Sequence, residues 1–125
     1  MKVGSVDLVF KEKLMKIGYF CNTTNWEKKS YTQVLKETRD IAIYCDENKW
    51  ESIWFTEHHF NHEGMENCTN PLMMSTDIAA RTKNIRIGQA ANIITFHNPL
   101  RLAEDIATLD HLSNGRLEVG VGRGV

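Results

Sequence analysis

From Met15 onward, short apolar runs of strand length alternate with longer amphipathic runs of helical period, and this alternation limits the folds open to the chain more than any other feature. "MKIGYF", residues 15–20, reads as a first strand. The polar loop "NTTNWEKKS" leads to a helix over about residues 31–48, with Val34, Leu35, Ile41, Ala42 and Cys45 on one face and Ser30 and Gln33 spaced as a capping box. "ESIWF" is a second strand. In "NPLMMSTDIAARTK", Asn70 is placed to cap a helix and Pro71 to occupy its first position, where a missing N–H costs nothing. "IRIGQAANII" is a third strand. Asn98 and Pro99 then repeat the same start, Leu102, Ala103, Ile106, Ala107 and Leu109 supply an apolar side, and Asn114 with Gly115 supplies the stop. "RLEVGVGRG" is a fourth strand.

Four such steps, with helices crossing over between strands, imply parallel pairing and an α/β fold. The sheet is either doubly wound or part of a barrel. A complete (β/α)8 barrel takes about 250 residues. With 125 residues and four strands, this chain supplies half of one.

The composition, 42% apolar and 25% charged with a net charge of −1, is that of an ordinary globular domain and offers no basic surface for nucleic acid or an anionic membrane. No run approaches the roughly 20 apolar residues of a membrane helix, and the N-terminus lacks a signal-peptide core, so a cytoplasmic location is expected. Cys21, Cys45 and Cys68 are odd in number and widely spaced, which fits reduced thiols rather than a disulfide framework or a zinc ribbon.

The second strand ends in "WFTEHHF", which puts Glu57, His58 and His59 at the C-terminal end of a buried element. Those residue types, with His62 and Cys68, are able to ligate zinc. Adjacent histidines on extended backbone point to opposite sides, however, which predicts that only one of His58 and His59 faces the interior. An imidazole there suits general acid/base work. Gly88, Ala90 and Ala91 leave unusual room in the third strand, either for a flat ligand or because the strand is crowded. The glycines of "GVGRGV" allow close backbone approach, but Val125 stands where a dinucleotide fingerprint needs Gly or Ala. Arg123 among them is either a phosphate ligand or an exposed turn arginine. His97 reads as a loop residue and His111 as a solvated helix-end residue.

Taken in order and spacing, "WFTEHHF", "IRIGQAANIITFHNPLRLAEDIATLDHLSNGR" and "EVGVGRG" resemble the N-terminal half of a bacterial luciferase-like flavin-dependent monooxygenase over residues 15–125. The resemblance implies a (β/α)8 barrel that binds FMN at the C-terminal ends of its strands. It also implies a small organic substrate, O2 as oxidant, a flavin reductase as the source of reduced FMN, and a homodimer. It implies that His58 is catalytic and that Glu57, His59, Ala90, Ala91 and Arg123 bind the cofactor, with a cis peptide between Ala90 and Ala91. No metal is implied. Gly122 stands where the luciferase α subunit carries a reactive cysteine, which points away from aldehyde-oxidising luminescence. Residues 1–14 precede a native-looking start and read as an extension or as the product of a misplaced start codon, with a domain over 15–125. The alternatives are an oxidoreductase of the same superfamily using a deazaflavin coenzyme, or a non-catalytic flavin-binding subunit. A half-barrel by itself exposes sheet edges and an apolar face.

Overall fold

Each of the three helices starts where a short polar side chain takes up an unpaired backbone N–H. The computed structural model describes residues 15–60 and 68–124; the expected extension, Asn61, His62, Glu63 and Val125 lie outside the described residues. Helix α1, Tyr31–Glu47, is capped by Ser30 Oγ, which accepts from Gln33 N at 3.3 Å. Gln33's side chain bonds Glu37, so only half of the expected capping box forms. Helix α2, Pro71–Ala79, is capped by Asn70, and α3, Pro99–Leu112, by Asn98, whose Oδ1 accepts from Leu100 N and Arg101 N. Asn114 and Gly115 end α3 in the left-handed region, at φ 57° and 72°.

Strands β1 (Gly18–Cys21), β2 (Ser52–Phe55), β3 (Arg86–Gln89) and β5 (Leu117–Glu118) form one parallel sheet in that order. Their residues alternate. Cys21, Ile53, Phe55, Ile87 and Leu117 are buried in one core with Ala42 and Cys45 of α1, Leu72, Met74 and Ile78 of α2, and Leu102 and Leu109 of α3. Side chains of opposite parity, such as Phe20 and Trp54, are more exposed. All three helices therefore cover a single face, and neighbouring strands follow chain order without a reversal. Both facts decide for a barrel wedge over a doubly wound sheet, which puts helices on both faces. Ala103 and Ala107, expected on the apolar side of α3, are exposed, because only Leu102, Leu109 and partly Ile106 reach the core.

The third and fourth strands differ from the sequence reading. Beyond Gln89 the chain leaves the main sheet, and β4 (Asn92–Ile93) pairs in parallel with β6 (Val121–Gly122) in a second, two-stranded sheet. A 3-10 turn, Ile94–Phe96, follows β4. The branching depends on Gly120, where a Cβ would fall 2.2 Å from the Gln89 carbonyl oxygen. At Gly88 the crowded-strand reading is correct, since a Cβ would fall 2.3 Å from the Trp54 ring.

Two polar anchors hold the opposite end of the sheet. Asp46, near the end of α1, accepts the backbone N–H groups of Lys83, Asn84 and Ile85 at 2.7–2.9 Å. Arg116, at the start of β5, is buried and donates to Ser113 O, Thr82 Oγ1, Ile85 O and Ala79 O. Among the described residues no helix is long and apolar enough to cross a membrane.

Candidate functional site

Past Phe55 the chain stops being a strand, and residues 56–60 run without regular structure over the C-terminal ends of β2 and β3. In parallel α/β sheets this is the end where ligands bind. A pocket of about 590 Å³ lies there, within the range of small-molecule sites. Glu57, His58 and His59 line it, and so do Ala90 and Ala91. The turn after β6 brings Gly122, Arg123 and Gly124. All six residues singled out in the sequence thus line a single cavity.

Glu57 organises the wall. It is buried, and its Oε2 accepts the Ile93 N–H at 2.6 Å, which ties the end of β2 to β4. Its Oε1 lies 2.8 Å from His59 Nε2. The His59 ring meets the edge of Phe96 with centroids 4.9 Å apart. His58 donates its backbone N–H to Cys68 O at 2.9 Å.

The expectation that only one of His58 and His59 faces inward is corrected here, because both line the pocket and both are half-buried. Alternation applies to a strand, and these residues stand beyond its last hydrogen-bonded pair. The metal reading gains no geometry, since among the described residues no three of His, Cys, Asp and Glu come together as a ligand set. Glu57 is instead engaged by Ile93 and His59. Burial pushes the Cys68 thiol up to about 12, and burial raises Cys21 and Cys45 as well.

The peptide between Ala90 and Ala91, in the pocket lining, is cis. Ala90 N donates to Phe55 O at 2.7 Å. Beside it in the chain lies a buried polar network that the sequence reading missed: Gln89 Nε2 donates to Ser75 Oγ at 2.9 Å, and Asn92 donates through N and Nδ2 to Gly120 O at 2.9 and 3.2 Å. Polar residues inside a strand flanked by Ile87 and Ile93 were the available signal. Arg123 is exposed, and its carbonyl accepts from Thr95 Oγ1 at 3.1 Å. Its guanidinium makes no ion pair among the described residues, so the rim carries a cation available to a ligand. His97 was read as a loop residue; it is half-buried with Nε2 3.6 Å from Glu57 Oε1. His111 is exposed in the last turn of α3, as expected.

Known proteins are similar to this chain in sequence and fold. The family model described as luciferase-like monooxygenase matches residues 15–125. The alkanal monooxygenase beta chain of Vibrio harveyi is 36% identical over 107 residues, which cover 85% of this chain and 32% of that protein. The oxygenase component of the flavin-dependent trigonelline monooxygenase of Acinetobacter baylyi is 31% identical over 98 residues, covering 78% and 27%. Among solved structures, the oxygenating constituent of 3,6-diketocamphane monooxygenase from Pseudomonas putida is a type II Baeyer-Villiger monooxygenase in complex with FMN. It superposes with a TM-score of 0.84 at 26% identity, over 89% of this chain and 30% of that one. The chain spans about a third of the length of the relatives it matches. With a pocket at the C-terminal strand ends of a barrel wedge, and a family match over nearly all of its length, the chain belongs to the luciferase-like monooxygenase family of oxidoreductases.

Proposed function

We propose that this chain forms the cofactor-facing part of a monooxygenase that uses reduced FMN and O2 to oxidise a small organic substrate, with the reduced FMN delivered by a separate flavin reductase. One observation carries the reading: Glu57, His58, His59, Ala90, Ala91 and Arg123 line one pocket at the C-terminal ends of the strands.

These residues fit a flavin. Ala90, Ala91 and Ile93 offer the low surface that a planar ring needs, and Arg123 offers charge-assisted hydrogen bonds to a phosphate. When bound, reduced FMN supplies the electrons and the reaction with O2. The chain's own share is positioning and proton control. Glu57 holds His59 through a charge-assisted hydrogen bond and fixes its ring against the pocket. His58, half-buried in the same wall, gives and takes a proton at its imidazole as the substrate is oxidised. Phe96 and Ile93 limit the entry of water. The homodimer would cover the outward faces of α2 and α3, where Met73 and Leu100 are 71% and 68% exposed; its measure is the sedimentation mass.

The test is an anaerobic titration of the protein with reduced FMN, with a deazaflavin coenzyme titrated alongside, followed by exposure to air. The reading predicts preference for FMN, and His58→Ala should bind it within about threefold of wild type while the rate of flavin reoxidation changes about 100-fold. Preference for the deazaflavin, or unchanged reoxidation in His58→Ala, would refute it.

A further inference from the structure

The Glu57 side chain is only 2% exposed, and a carboxyl group so buried calls for donors at its oxygens. Oε2 has the Ile93 N–H at 2.6 Å, and Oε1 has His59 Nε2 at 2.8 Å. Oε1 keeps a second lone pair. Facing it from the end of the 3-10 turn is His97 Nε2, at 3.6 Å. That nitrogen is itself buried and makes no hydrogen bond among the described residues. Buried polar atoms without partners are uncommon and call for an explanation. Here an acceptor with a lone pair to spare and a nitrogen without a partner face each other, and a shift of roughly half an ångström brings them to hydrogen-bond distance.

His97 also lines a different cavity, of about 370 Å³, between α2 and α3, together with Asn70, Asp105 and Thr108. Glu57 and His59 line the larger pocket. The His97–Glu57 contact therefore stands between the two cavities.

We propose that His97 is a positioning residue of the pocket: it closes onto Oε1 of Glu57, which His59 already holds, so that protonation of His97 from the α2–α3 cavity alters the proton affinity of the imidazole facing the pocket. An ionised carboxylate only accepts, so a neutral His59 paired with Glu57 carries its proton on Nε2 and leaves Nδ1 as an acceptor. Once His97 is protonated, its Nε2–H competes for Oε1 and its charge opposes a second proton on His59. Among the described residues, few charged and titratable groups face this array. Glu57 comes from the end of β2, and Asp105 of α3 shares the cavity with His97. The Cys68 thiol precedes α2 and stays neutral, since burial pushes it up to about 12. His58 and Arg123 stand in the pocket wall and rim.

The experiment is imidazole nitrogen NMR on the flavin-free protein over about pH 5 to 9, where histidine titrates. The His59 curve should show two steps, the second shared with His97. His97→Gln keeps an N–H donor near Oε1 but cannot titrate, so it should reduce the His59 curve to one step while leaving the proton on Nε2; a purely structural role for His97 predicts no such change. A single-step curve in the wild-type protein overturns the proposal, and so do two steps that persist in His97→Gln. The proposal rests on the flavin reading only for its effect on turnover. Two steps in a protein that binds no FMN would leave it standing and remove that reading, whereas one step in a protein that binds FMN would do the reverse.

Discussion

Replacing Gly120 by alanine tests how the lining of the pocket is built. The added Cβ would stand 2.2 Å from the Gln89 carbonyl oxygen and 3.7 Å from the Ala90 Cα. A carbon and a carbonyl oxygen sit comfortably at about 3.3 Å or more, so roughly 1 Å must open between two stretches of backbone. Gly120 is poorly placed to retreat, because its own carbonyl accepts both Asn92 N and Asn92 Nδ2, at 2.9 and 3.2 Å. Losing those two bonds costs about 2 kcal/mol, and overpacking adds about 1–3 kcal/mol. The sum is a large fraction of the roughly 5–15 kcal/mol that holds a domain folded. The movement also displaces Ala90, so affinity for reduced FMN should drop at least about tenfold, equivalent to about 1.4 kcal/mol. Urea unfolding and flavin titration of the same preparation measure both effects. Gly122→Ala is the control: its Cβ would meet the Ala91 Cβ at 3.5 Å, an ordinary contact, and stability should change by less than about 0.5 kcal/mol. A Gly120→Ala protein with wild-type midpoint and affinity, or equal effects of the two substitutions, would refute the reasoning.

Three further outcomes follow from the other end of the sheet and from the core. Arg116→Met strands the carbonyls of Ala79, Ile85 and Ser113, and should cost about 3–4 kcal/mol in urea unfolding while leaving the FMN affinity of folded protein unchanged; a loss below about 1 kcal/mol would contradict the anchoring role. Burial works to raise the pKa of Asp46, but the N–H groups of Lys83, Ile85 and Asn84 outweigh it and hold the group below the ordinary carboxylate value. The stability it contributes is therefore present above that ordinary value and is lost as pH falls through the lower folded one, and Asp46→Asn should remove that acid-side loss at a cost near 1 kcal/mol at neutral pH. Cys68, pushed up to about 12 by burial, should resist iodoacetamide at pH 8, as should Cys21 and Cys45; rapid labelling of native protein would show that the thiols are not buried as described.

The helix starts were legible because capping is local. Asn70 reaches Met73 N, and Asn98 reaches Leu100 N and Arg101 N, so four residues of sequence contain both partners. The strand-helix alternation fixed parallel pairing in the same way, since crossover helices leave little alternative. The site residues were legible as positions: Glu57, His58 and His59 follow a strand, and the ends of parallel strands converge.

How those residues meet was decided by the tertiary structure. Strand parity assigned His58 and His59 to opposite sides, and the structure puts both in one pocket because the strand ends at Phe55. Glu57 meets Ile93, 36 residues away, and Asp46 meets Lys83, Asn84 and Ile85 at separations of 37 to 39. Arg116 reaches Ala79 across 37 residues. The third strand read as continuous, yet it divides between two sheets where Gly120 lets the backbone close on Gln89. Periodicity and capping act over about four residues and are written into the sequence one turn at a time. A polar contact between distant elements depends on where packing puts both partners, so His97 looked like a loop residue until folding brought its ring to the carboxylate of Glu57.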